Sequence, residues 1–114
     1  LWPTSGAARA AAQEWLAFAN ATLHPAYGTA MMLKRSNAPT ALQEAQHAKI
    51  NALWADVEQH LSQNTYLAGS TVTPADILLT VIANWQAYIS QPISFGPNTR
   101  RLLAAISARP TYQK

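Results

Sequence analysis

Few side chains in this 114-residue chain can do chemistry. There are three histidines, His24, His47 and His60, and no cysteine. Without cysteine the chain has neither a thiolate nucleophile nor a disulfide framework. His47 and His60 stand thirteen positions apart in a helical pattern. They share no helix face and have no carboxylate at ligand spacing, so no metal site is expected. No Ser-His-Asp arrangement and no phosphate-cradling glycine loop occurs. His24 directly precedes Pro25 inside a helical stretch, where a neighbouring carbonyl at a kink can satisfy its imidazole. Tyr27, Met31, Trp85 and Tyr88 suit a bundle core or the wall of an apolar ligand pocket. The residues alone leave both readings open.

The elements that position these groups read as helices throughout, because the sequence shows no period-two alternation and no hairpin signal. Four main helices are predicted, at roughly 5–34, 40–63, 73–89 and 98–108. Thr4 or Ser5 is a fair N-cap for the first, and Pro25 should kink it near His24. Lys34 to Pro39 reads as a polar connection. In the second, Ile50, Leu53, Trp54, Val57 and Leu61 recur at three and four. Glu44, His47, Lys49, Asp56, Glu58 and His60 are assigned mostly to its solvated side. The third is apolar around most of its circumference, as a helix inside a bundle would be. Leu102, Leu103 and Ile106 point the fourth inward.

The start of the third helix is specified several times over. Thr73 stands at N-cap and Pro74 at N1, where a missing N–H costs nothing. Asp76 at N3 can reach back to the Thr73 N–H as a capping box, and Val72 with Ile77 can form a hydrophobic staple. Thr73 and Asp76 are therefore assigned to folding.

Composition agrees with a single helical domain over 1–114. Hydrophobic residues make up 49% of the chain and charged residues 11%, which argues against disorder. The net charge is +3, but the eight basic residues are dispersed with no run longer than two, so no nucleic-acid footprint is expected. No apolar run is long enough to span a bilayer, and no membrane partner is expected.

Taken in order, three motifs resemble the all-helical C-terminal domain of glutathione S-transferases. Glu14-Trp15-Leu16 followed by Leu23-His24 is similar to the first helix of that domain in the bacterial beta class. Gly69 to Leu79, continuing to Trp85, is similar to the capping segment and the central helix. Ala108-Arg109-Pro110-Thr111-Tyr112-Gln113 is similar to the usual Arg-Pro helix ending, and Leu1-Trp2-Pro3 to the linker after the N-terminal domain.

The resemblance implies an N-terminal thioredoxin-like domain that binds glutathione, here missing, and a likeness to a homodimeric, cytoplasmic detoxifying transferase. Glutathione would be co-substrate rather than cofactor, and the parent reaction would add its thiolate to a hydrophobic electrophile. His24 matches a histidine close to the glutathione site, where an imidazole favours a nearby thiolate. Tyr27, Met31, Trp85 and Tyr88 become candidates for the electrophile pocket. Two positions depart from the beta-class pattern: Pro25 replaces a lysine and Ala17 an asparagine, each removing a polar contact. The isolated chain is expected to be inactive. Under either that reading or the alternative, a non-catalytic helical interaction module, Trp2, the first half of helix one and the end of helix three should form an incompletely buried face.

Overall fold

The computed structural model describes residues 3, 6–91 and 93–109. The N-cap candidates Thr4 and Ser5, Trp2, and Pro110 to Gln113 of the last motif lie outside the described residues. Helix α1 spans Gly6–Phe18, α2 His24–Arg35, α3 Thr40–Leu61, α4 Pro74–Ala83 and α5 Pro97–Ser107. Among the described residues there is no strand, only an isolated bridge between Tyr66 and Gly69. Helix α2 packs along α3, α1 against α4, and α5 against both α3 and α4. The core between them is built from Leu23, Tyr27, Ile50, Trp54, Val57, Leu61, Leu79, Ile82, Leu102 and Ile106.

The expected kink at Pro25 takes a definite form. Residues Ala19–Leu23 form a π-helical turn between α1 and α2, and the His24 N–H bonds to the Ala19 carbonyl five residues back. Proline in a regular helix would lack a donor and crowd the carbonyl four residues earlier. A wider turn gives that carbonyl room. Trp54 Nε1–H donates to the Tyr27 hydroxyl at 2.9 Å, and Gln46 Nε2 donates to the Ala26 carbonyl at 2.9 Å. Both bonds pin the start of α2 to α3.

The third predicted helix is shorter than expected as an α-helix. It ends at Ala83 and tightens into a 3₁₀ segment over Asn84–Tyr88. Its start forms as read from the sequence. The Thr73 side chain accepts from the N3 backbone, and the Thr73 N–H donates to Asp76 Oδ2 at 2.9 Å. Val72 and Ile77 are both half-buried against the core.

Three side chains assigned to the solvated face of α3 are not there, among them His60, half-buried with its ring 4.6 Å from that of Trp15. His47 is buried, because it straps a loop: its Nδ1 donates to the Gln43 carbonyl at 2.6 Å, and its Nε2 accepts the Gln91 N–H at 3.1 Å. A backbone N–H can only donate, so His47 is the neutral Nδ1–H tautomer. Glu58 leaves the solvated side to cap α5. Its carboxylate accepts the Thr99 N–H and hydroxyl at 2.8 and 2.9 Å and the Asn98 side chain at 2.9 Å. The N-terminus of α5 has no capping side chain of its own, so α3 supplies it.

Candidate functional site

Helix α2 and the 3₁₀ segment form the two walls of an apolar cavity of about 390 Å³, lined by His24, Gly28, Met31, Trp85 and Tyr88. On α2 the lining positions 24, 28 and 31 are four and three apart, one face of a helix. On the other wall, Trp85 and Tyr88 are three apart in a 3₁₀ segment, where side chains at i and i+3 eclipse. The tightening after Ala83 therefore turns both aromatic rings toward one side.

His24 is exposed at the cavity lip. Its ring stands edge-on to Trp85, with centroids 5.0 Å apart and planes at 71°. This contact fixes the imidazole against the aromatic wall. His24 opens α2, and the π-turn before it sets its direction. Met31 is half-buried, Trp85 is half-buried, and Tyr88 is 64% exposed.

Tyr27 lies behind this wall rather than in it. It is fully buried, its ring 6.5 Å from that of Trp85, and its hydroxyl accepts the Trp54 N–H. Burial raises the Tyr27 phenol to about 12, with the Trp54 hydrogen bond opposing that rise. It stays neutral at physiological pH and supports Trp85 from below. Thr73 and Asp76 are remote in role: both are fully buried and serve the start of α4.

Gly28 lines the cavity and was not among the sequence candidates. The spacing His24-x-x-x-Gly28-x-x-Met31 was the available signal. Lys34 and Arg35 were also missed, having been assigned to the connection. They form the last turn of α2, and with Met31, Ala87 and Tyr88 they line a second cavity of about 430 Å³. Among the described residues no group of three or more His, Asp or Glu side chains could hold a metal ion. Nor is any helix there long and apolar enough to cross a membrane.

Residues 19–110 match the family model described as "Glutathione S-transferase, C-terminal domain". A glutathione S-transferase of Xanthomonas campestris pv. campestris is 35% identical over 81 residues, covering 68% of this chain and 40% of that protein. A glutathione S-transferase structure from Actinobacillus pleuropneumoniae superimposes with a TM-score of 0.77 at 24% identity, over 99% of this chain and 52% of that one. The theta class glutathione S-transferase of Xanthomonas axonopodis pv. citri, with glutathione bound, gives 0.78 at 23% identity, over 99% of this chain and 56% of that one. These structures share the fold, and the chain spans about half the length of such relatives.

Proposed function

Because the chain belongs to the glutathione S-transferase C-terminal domain family, we propose that it forms the electrophile pocket and part of the dimer contact of a two-domain glutathione transferase. A preceding thioredoxin-like domain would hold glutathione, and the whole protein would act in the cytoplasm as a homodimer. The observation that carries this reading is the cavity between α2 and the 3₁₀ segment. Its lining is mostly apolar and carries an imidazole at its lip, which suits a hydrophobic electrophile beside a nucleophile that needs a hydrogen-bond donor.

The chemistry follows from that geometry. Glutathione reacts as thiolate. An N–H donor near the sulfur favours the ionised form and lowers the pH at which it appears. His24 can present such a donor without moving, because Trp85 holds its ring. Trp85, Met31 and Tyr88 exclude water from the electrophile and orient it toward the sulfur. The thiolate then attacks the electrophilic carbon, forming the C–S bond as the leaving group departs with its electron pair. The isolated 114 residues, lacking a glutathione site, would be inactive.

The test is the coding sequence upstream of Leu1, followed by expression of the full-length product. A thioredoxin-like stretch ahead of this chain, retention on immobilised glutathione and transfer of glutathione to a chlorodinitrobenzene are the expected results. No retention and no transfer by that product would overturn the transferase reading in favour of an interaction module.

A further inference from the structure

We propose that the pocket continues along α2 into a cationic end, so that its substrates are elongated apolar electrophiles carrying an anionic group. This rests on the electrophile-pocket reading above and adds a substrate class to it.

The two cavities share Met31 and Tyr88 in their linings, so they are successive parts of one trough. On α2 the trough follows His24, Gly28, Met31 and Arg35, at steps of four, three and four residues. That is a single helical face about 16 Å long at 1.5 Å per residue, enough for an extended chain or two linked rings.

The floor of this trough is open by construction. A Cβ built on Gly28 meets no atom within 4 Å. Glycine inside a helix costs about 0.5–1 kcal/mol relative to alanine, and no crowding within the chain requires it here. Its effect is to leave room over the middle of the trough.

Charge distinguishes the two ends. Lys34 and Arg35 are exposed in the last turn of α2 and line the second cavity. The opposite wall, residues 84–91, carries no charged side chain. Part of this cationic pair complements the helix C-terminus, which carries only about half a negative charge. Two full positive charges exceed that, and the net field at this end attracts an anion. The first cavity is lined otherwise by apolar groups and His24. A ligand with its reactive carbon near His24 and its anion beside Arg35 satisfies both ends.

The experiment uses two fluorescent probes on the full chain: 11-(dansylamino)undecanoate and its methyl ester, with the same body and one charge of difference. The carboxylate is expected to bind about fivefold more tightly than the ester at low salt, a typical yield of two exposed charge contacts. The gap should shrink as ionic strength rises. In K34Q/R35Q the gap should disappear, the carboxylate falling to the affinity of the ester. G28L, which fills the open floor, should weaken both probes. Equal affinities in the wild type, or a gap that survives K34Q/R35Q, would overturn the anion proposal while leaving the pocket reading intact if G28L still weakens the ester. Failure of the ester to bind, or binding indifferent to G28L, would overturn both.

Discussion

A buried carboxylate is stable only where hydrogen bonds replace its water, and Asp76 shows how completely one side chain can be used. It is fully buried. Oδ2 accepts the Thr73 N–H at 2.9 Å, closing the cap read from the sequence. Oδ1 accepts the Leu67 N–H at 2.9 Å, a bond that could not be read there. The same Leu67 offers its carbonyl to His60 Nε2 at 2.7 Å, so the peptide groups flanking Leu67 are held from α3 and from α4. The cap was legible because Thr-Pro-x-Asp is local. The Leu67 bond depends on how the 62–72 turn folds back, which no spacing encodes. D76A should cost about 3 kcal/mol by chemical denaturation, since it removes a cap and leaves a buried N–H unpaired. D76N should cost nearly as much, because an amide cannot accept at both oxygens' positions. Burial raises the Asp76 carboxyl above its ordinary value, the hydrogen bonds from Leu67 and Thr73 only partly opposing it. The folded state then binds the proton more tightly than the unfolded chain. That contribution is fully present below about pH 3.9 and is lost as pH rises through the folded value. Subtracting the D76N stability profile from the wild-type profile should leave a difference that falls with pH across that window.

At the scale of elements, α3 and α5 cap one another. Glu58 of α3 closes the N-terminus of α5, and Arg101 of α5 reaches back to the Leu61 carbonyl that ends α3, with Nη2 at 3.4 Å, and to the Thr65 and Asn64 carbonyls of the turn after it at 2.9 and 3.3 Å. Gly96 makes the first contact possible, since a Cβ there would lie 2.6 Å from Glu58 Cγ. G96A should therefore displace the carboxylate and cost about 1–2 kcal/mol, as loss of a helix cap does. E58A should cost about the same, and G96A/E58A little more than either alone. Additive losses in that cycle would mean that the two residues act separately. Burial alone would raise the Glu58 carboxyl, but the hydrogen bonds from Thr99 and Asn98 hold it below its ordinary value. Its contribution is present above about pH 4.3 and is lost as pH falls through the folded value, opposite in sign to Asp76. The helices themselves were legible from periodicity, the second and fourth almost to the residue. The reciprocal capping was not, because Glu58 looks like any charge on a solvated face until α5 is laid against it. Pro25 announced a kink near His24 but not its form as a π-turn, and the 3₁₀ tightening after Ala83 left no signal, for a related reason: each adjusts hydrogen bonding within a stretch that stays helical. Both nonetheless set the cavity walls. Placing alanine at Gly28 tests that wall from the stability side. G28A should raise stability by about 0.5–1 kcal/mol, since open space lies above it, and thermal unfolding would show it.

For the whole molecule, exposed groups run along the first half of α1 and the segment after α4. Ala7, Ala10, Gln13 and Glu14 on α1 and Asn84, Ala87 and Tyr88 after α4 are exposed. Tyr88, at 64% exposure, is a large aromatic side chain that a covering domain or a bound ligand would shelter. The family could be read from three motifs in order, since capping, helix endings and aromatic positions are local signals. The arrangement of the pocket could not, since it depends on which face of α2 meets the 3₁₀ segment and on Tyr27 turning inward to Trp54. In a full-length transferase, the two ends of the site should separate kinetically. M31W fills the trough away from the sulfur. It should lower kcat/KM for a bulky electrophile about tenfold, within the range that pocket packing controls, and leave the KM for glutathione unchanged. On the proposed function, H24A would remove a donor near the thiolate while Met31, Trp85 and Tyr88 still line the pocket. It should shift the pH–rate profile toward higher pH, because the thiol then ionises without help, while electrophile preference stays the same. A merely structural His24 would lower stability without moving that profile. Equal effects of M31W on both substrates would mean that the trough does not hold the electrophile.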